Sequence, residues 1–294
     1  MERTNEPPAR NDTGRSEAGS EAGVVPWWRR SALIKATVSE IRVLARAHRV
    51  TAETFSLQSI SEGIDFVLKA QHPSGGWPRS YPHFRTAYDR YVTFKDQEMT
   101  EVMRFLRQVV TEEDFAVIAE ERRQRAQRAF DKGIEYILES QIVVRGQPTI
   151  WSQQHDEITL EPRPAREFKP IALSAMDSAS VLTLLMSIER PSPAIIRAIE
   201  GGVAWYKGAQ LEGLRIERTS HDCIVRSDPS APPTWARFYQ IGTDQPIFAG
   251  RNGVIRHHLA DVEKERRAGY AWYGNWGREV LEKYESWCRS MKGR

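Results

Sequence analysis

Gly63-Ile-Asp-Phe-Val-Leu-Lys-Ala-Gln71 recurs as Gly133-Ile-Glu-Tyr-Ile-Leu-Glu-Ser-Gln141 and as Gly202-Val-Ala-Trp-Tyr-Lys-Gly-Ala-Gln210. The glutamines are 141 − 71 = 70 and 210 − 141 = 69 residues apart. Ile64, Val67 and Leu68, like Ile134, Ile137 and Leu138, follow helical spacing. Each copy therefore reads as the end of an amphipathic helix, with a glycine where a neighbouring helix comes close. Self-similarity at a fixed period points to a repeated supersecondary unit.

Working outward, the repeat implies helix pairs. Thr100–Val110 carries Val102, Met103, Leu106, Val109 and Val110 on one face, and Ser178–Ile188 is apolar enough to be buried. Ser192-Pro193 reads as an N-cap followed by proline in the first turn of a third helix. Ser31–Ala47 and Ser56–Ala70 form an earlier pair. Ile142–Val144 is a candidate for brief strand pairing, and no strong run of alternating strands stands out. The expected fold is therefore all-α, an α/α toroid or partial barrel of helix pairs joined by long connections. Residues 71–94, 145–171 and 215–253 form three such connections, where binding groups concentrate on a rigid scaffold.

The chain has 294 residues, 28% of them charged, and a net charge of +3, which does not imply a nucleic-acid partner. Two cysteines, Cys223 and Cys288, define neither a disulfide framework nor a zinc site. No apolar run reaches membrane-spanning length, and residues 1–25 lack the apolar core of a signal peptide. Those residues are polar and charged and read as a disordered tail preceding a single domain, 26–294. Nine Trp and nine Tyr are either core filler, the stronger reading, or flat platforms for sugar rings.

The connections hold the chemistry. The first opens Gln71-His-Pro-Ser-Gly-Gly-Trp77, a turn that packs an indole onto the preceding helix. Asp-rich diphosphate motifs and a zinc-ligand set are absent, which disfavours a terpene- or prenyl-processing enzyme. Taken alone, Asp96 in Phe94-Lys-Asp96-Gln-Glu-Met99 reads as a helix cap. The second connection carries Trp151, His155, Asp156 and Pro-Ala-Arg166, and the third carries Trp235-Ala-Arg237-Phe-Tyr239 and Arg251-Asn-Gly253.

Together these blocks resemble polysaccharide lyase family 10, the pectate lyases. The matching stretches are GIDFVLKAQHPSGGWPRSYP, YVTFKDQEM, TIWSQQHDEITLEPRPARE, SIERPSPAIIRAIEGGVAWY, DPSAPPTWARFY, PIFAGRNGVI and ERRAGYAWYG, in family order over about Ser61–Gly274. The resemblance implies calcium-assisted anti-β-elimination of polygalacturonate. Positive charge on the uronate carboxylate stabilises an enolate-like transition state there. It implies Arg166 as the catalytic base, Arg237 and Arg251 as substrate-binding arginines, and Asp96 with Asp65 as calcium ligands. An arginine base needs a neutral fraction of a group that is normally protonated, so a basic pH optimum is expected.

Lys169, Trp151, His155 and Tyr239 complete the candidate substrate-binding set. His155-Asp156 could act as an acid–base pair, but the family does not use it so. The sequence also departs from the family. Lys95 stands where Asn is usual, Arg90 where His is, and Lys169 where an acidic residue is common. The stretch 174–178 differs too. These changes add positive charge, and the expectation is weakened calcium binding with lysine partly in its place. The expected partner is an acidic polysaccharide, with neither nucleic acid nor membrane, and the chain is expected to be a monomer. Family members act on an extracellular polymer, so secretion is expected although no export signal is visible. The alternatives are an impaired pectin-binding protein, or a lyase for another acidic glycan.

Overall fold

In this computed structural model, which describes residues 32–51, 54–166 and 168–292, the repeated Gly-to-Gln stretches close three helices. In chain order the helices are α1 (Ile34–Thr51), α2 (Thr54–Lys69), α3 (Ala87–Arg90), α4 (Glu98–Thr111), α5 (Glu120–Glu139), α6 (Ala175–Leu185), α7 (Pro193–Gly208), α8 (Lys264–Ala268) and α9 (Trp276–Lys292). The stretches end α2, α5 and α7. Each of these helices pairs with its predecessor: α2 with α1, α5 with α4, α7 with α6. Helices α1, α4 and α6 pack side by side in one layer, α2, α5 and α7 in a second, and α9 packs against both α6 and α7. Among the described residues, no helix is long and apolar enough to cross a membrane. The tail expected at residues 1–25 lies outside the described residues.

The repeat has a physical basis in three recurring contacts. Trp77, Trp151 and Trp235 are buried, and their indole N–H groups donate to the carbonyls of Val67, Ile137 and Tyr206 at 2.9, 2.8 and 2.9 Å. Each acceptor lies four residues before a repeat glutamine. The Gln71 amide donates to Gly75 O and to Ala129 O, both at 2.8 Å. The Gln141 amide donates to Thr149 O at 2.8 Å and Ala198 O at 3.0 Å. Ala129 and Ala198 each sit four residues before the next repeat glycine, so each glutamine clamps its own loop to the following unit. The glycines permit close approach. A Cβ on Gly133 would lie 2.3 Å from Met103 Sδ and 3.0 Å from a ring carbon of Trp77, and one on Gly202 would lie 2.8 Å from a Leu182 methyl.

The expectation of an all-α toroid is overturned. About half of the protein is helical and 16% is strand, enough strand to remove it from the all-α class. Among the described residues no extensive packing joins α1 to α9. Most strands are two residues long, and two residues show no alternation to detect. One signal was readable: Leu214–Arg218 and Cys223–Ser227 pair antiparallel, and in the first of them Leu214 and Ile216 alternate with Arg215 and Glu217 as a half-buried strand should. The brief pairing expected near Ile142–Val144 is present as Val143–Val144 against Gln147–Pro148.

Candidate active site

The short strands gather the three connections at one place. Val92–Thr93 pairs with Gln154–His155, which pairs in turn with Pro162–Arg163. Leu173–Ser174 pairs with Phe238–Tyr239, and Arg166 bridges to Lys169. Lys95 and Asp96 follow the first of these strands by two or three residues. Arg166 and Lys169 follow the third, Asp177 follows Ser174, and Arg237 immediately precedes Phe238.

Asp177 holds the group together from beneath. It is buried, and its Oδ2 accepts from Gln153 Nε2 and Ser174 Oγ, each at 2.6 Å. Its Oδ1 accepts from the backbone N–H of Asp96 at 3.1 Å, and Arg237 Nη2 is 3.9 Å from Oδ2. The Phe94 and Lys95 N–H groups donate to Gln153 O at 3.0 and 3.1 Å. These bonds fix a turn in which Asp96 and Gln97 have φ of 55° and 64°. Two consecutive non-glycine residues in the left-handed region cost about 1 kcal/mol or more each, and persist only where the surroundings impose them. Asp96 is therefore not the helix cap its position suggests.

The charge around this turn is predominantly positive. Lys95 Nζ contacts the Asp96 carboxylate. Burial, then the charges of Arg166, Arg79 and Arg237, lower the Lys95 ammonium to about 8, against the pull of Asp177. Lys169 is buried and is pushed down further, to about 6, by desolvation and by Lys95, Arg237 and Arg166, again opposed by Asp177. Its Nζ lies 5.1 Å from the centre of the Tyr270 ring, and the Arg237 guanidinium carbon 4.4 Å from the same ring. A groove of about 400 Å³ opens above, lined in part by Arg79, Arg85, Lys95, Gln154, Arg166 and Phe168. Glu98 also faces it, and burial raises that carboxyl.

The structure thus brings together Arg166, Arg237, Lys169 and Asp96. Arg251 stands apart, exposed and forked onto Glu265 at 3.2 and 2.6 Å, with the Phe168 ring 5.6 Å away between it and the group. Three substrate-binding expectations are corrected. Trp151, His155 and Tyr239 are fully buried. Trp151 serves the repeat contact above. His155 Nδ1 bonds the Leu160 carbonyl at 2.9 Å, and its Nε2 accepts from the Ser152 N–H at 3.0 Å; burial lowers the ring to about 4. Both ring nitrogens are thus committed, which leaves none for acid–base chemistry. Tyr239 donates its hydroxyl to Ala209 O at 2.9 Å. Sequence reasoning missed Asp177 as the hub. Its Ser174-x-x-Asp177 spacing looks like an ordinary helix start, which hides it. It also missed Arg266, buried against Phe168, Tyr270 and Trp272.

The residues do not fit a resident calcium ion. Calcium takes six to eight oxygens, and among the described residues no cluster of three or more His, Cys, Asp or Glu side chains is suited to a metal. Asp65 is directed elsewhere. Against partial burial, hydrogen bonds and charge from Arg122 and Arg125, at 3.0 and 2.8 Å, hold its carboxyl low. It faces a different cavity, lined by Glu62, Lys69 and Tyr81 among others.

The pectic acid lyase family model matches residues 30–281. Two solved structures of a family 10 polysaccharide lyase from Cellvibrio cellulosa are similar, each 27% identical. An aspartate-to-alanine mutant in complex with trigalacturonic acid aligns over 87% of this chain and 82% of that one, with a TM-score of 0.80. The other aligns over 87% and 81%, with a TM-score of 0.81. No curated protein matches the chain.

Proposed function

The chain belongs to the pectic acid lyase family and is a polysaccharide lyase, and on that premise we propose that it cleaves polygalacturonate by anti-β-elimination in the groove beside Lys95 and Arg166. The observation that carries this reading is the concentration of Lys95, Arg166, Arg237 and Lys169, with Arg79 and Arg85 on the groove wall, which outnumber the carboxylates of Asp89, Asp96, Glu98 and Asp177. Such a site suits a polyanion. The trigalacturonic acid held by the related lyase is a short piece of that polymer.

In the reaction, a base removes the C5 proton of a galacturonate. The C–H electron pair becomes the C4–C5 double bond, the C4–oxygen bond breaks, and the leaving oxygen takes a proton. Negative charge moves onto the C5 carboxylate as the proton leaves, so nearby cations lower the barrier. Arg166 is the proposed base because it lines the groove, where the alkyl C–H must arrive.

A second reading exchanges two roles. Arg237 is only 4% exposed and its Nε has no hydrogen-bond partner among the described residues. That unengaged nitrogen favours Arg237 for contact with the C5 proton and leaves Arg166 to bind the carboxylate.

The test is the formation of unsaturated uronides from polygalacturonate at alkaline pH, followed by absorbance, with trigalacturonate affinity measured alongside. Loss of the base lowers kcat while binding persists; loss of a carboxylate ligand weakens binding. Arg166→Ala is expected to do the former. If it weakens binding and Arg237→Ala abolishes turnover with binding intact, the roles are exchanged. Trigalacturonate binding without any product would identify a binding protein instead.

A further inference from the structure

We propose that the cation set against the substrate carboxylate in this protein is the Lys95 ammonium, and that elimination proceeds without a bound divalent metal. The proposal rests on the lyase reading above and goes further, because it names the source of the charge.

The carboxylates expected to hold a divalent ion are already engaged. Lys95 Nζ contacts the Asp96 carboxylate, and Lys35 Nζ donates to the Asp96 carbonyl at 2.5 Å. Both Asp177 oxygens accept hydrogen bonds, one from the Asp96 N–H and the other from Gln153 and Ser174. Asp65 is bridged by two arginines of α5. The charged groups near Lys95, apart from Asp96 and Asp177, are Arg166, Arg79, Arg237, Lys169 and the carboxyl of Glu98. A divalent ion there would meet four or five positive charges, against the one carboxylate oxygen of Glu98 and the amide oxygens of Gln153 and Gln154 that have no hydrogen-bond partner among the described residues. A uronate carboxylate meets the same field with the opposite sign.

Lys95 is also placed to act. It lines the groove together with Arg166 and Gln154. Its backbone is pinned to Gln153, and the left-handed turn at Asp96 and Gln97 is fixed by Asp177. Asp96 then serves as a positioning residue that aims the ammonium rather than as a metal ligand. The ammonium pairs with the uronate oxygens and gains strength as negative charge accumulates on them, while the C4–oxygen bond breaks and the leaving oxygen is protonated. No electron leaves the substrate, so no co-reactant is required.

The experiment uses the full chain in EDTA and, separately, in excess calcium. It records unsaturated-product formation, trigalacturonate affinity by calorimetry, and calcium binding by calorimetry without substrate. The wild type is expected to turn over and to bind trigalacturonate equally in both conditions, with no saturable calcium heat. Lys95→Asn is expected to lose roughly 10–100-fold in trigalacturonate affinity in EDTA, the value of one charge-assisted contact. Lys95→Arg keeps the charge and is expected to keep EDTA-resistant binding, which separates loss of charge from loss of fold. Tight calcium binding, calcium-dependent trigalacturonate affinity in the wild type, or full affinity in folded Lys95→Asn overturns the proposal. Absence of product in both conditions removes the lyase reading instead. The binding measurements still decide on Lys95 in that case, since calcium-independent affinity lost in Lys95→Asn upholds its role and any other pattern refutes it.

Discussion

Replacing Gln141 by Leu tests whether the repeat is held by its glutamines. Leucine has nearly the same volume, so the change removes the amide and little packing. The Gln141 amide donates to Thr149 O at 2.8 Å and to Ala198 O at 3.0 Å in a buried setting. Thr149 O lies outside any helix or strand, and losing its donor costs about 1–3 kcal/mol. Ala198 O sits inside α7, where the helical ladder already bonds it, so losing its second donor costs about 0.5–1.5 kcal/mol. The sum is about 3 kcal/mol, or a fall in Tm of roughly 5–10 °C for a chain of this size. Gln210 offers an internal control. It occupies the same repeat position, has no following unit, and makes no side-chain hydrogen bond among the described residues. Gln210→Leu is therefore expected to leave Tm unchanged within about 1–2 °C, the usual reach of a neutral surface change. The assay is thermal unfolding by circular dichroism on both variants and the wild type. Equal losses in the two variants, or a Gln141→Leu protein that melts with the wild type, would refute the argument that these amides clamp one unit to the next.

Three further outcomes follow from the same geometry. Trp151→Phe takes the indole donor from the Ile137 carbonyl, which keeps the Ser140 hydroxyl at 3.3 Å, and opens a small cavity, so it is expected to cost about 1–3 kcal/mol in unfolding while trigalacturonate affinity stays at the wild-type value; an affinity loss without a stability loss would restore Trp151 as a sugar platform. Asp177→Asn keeps the shape but gives up an acceptor to a donor, and is expected to lower both Tm and turnover, checked by unfolding and product absorbance; unchanged turnover would remove Asp177 from the support of the Asp96 turn. Lys169→Met gives a pH signature. The folded pKa of Lys169 is lowered to about 6 from an unfolded value of 10.5, so between those values the unfolded chain binds more protons and stability rises with pH. The penalty is complete below about pH 6 and fades toward 10.5, so the methionine variant is expected to be more stable than the wild type at pH 6 and to lose that advantage by pH 10. A pH-independent difference between the two unfolding curves would contradict the burial of a strained ammonium.

How much of this was legible in the sequence depends on the range of the interaction involved. The helix ends at Gln71, Gln141 and Gln210 follow from periodicity and recurrence, because both are local. The indoles of Trp77, Trp151 and Trp235 were visible as residues but not as contacts, since each donates to a carbonyl 10 to 29 residues earlier in the chain. The two-residue ladders were invisible, because pairing such as Val92–Thr93 with Gln154–His155 is decided by how the helices seat their loops and not by any pattern in four residues. The same reason hid Asp177. Its three donors come from Gln153, Ser174 and the backbone of Asp96, of which only Ser174 is local.

The metal-ligand reading of Asp96 and Asp65 meets a related obstacle. A sequence shows that two carboxylates exist and not what neutralises them. Asp65 meets Arg122 and Arg125 from the facing helix α5, 57 and 60 residues away. Asp96 meets Lys95, its own neighbour, and there the residue types did contain the answer. A lysine beside a would-be metal ligand is a local fact and a departure from the family. What turned that departure into an argument was the backbone. The consecutive left-handed residues Asp96 and Gln97, pinned through Asp177, set Lys95 at the groove wall. Without that turn, an ordinary helix start would leave Lys95 as one more solvated charge. With it, Lys95 is fixed among cations with a single anionic contact, and a second anion is what the site is prepared to receive.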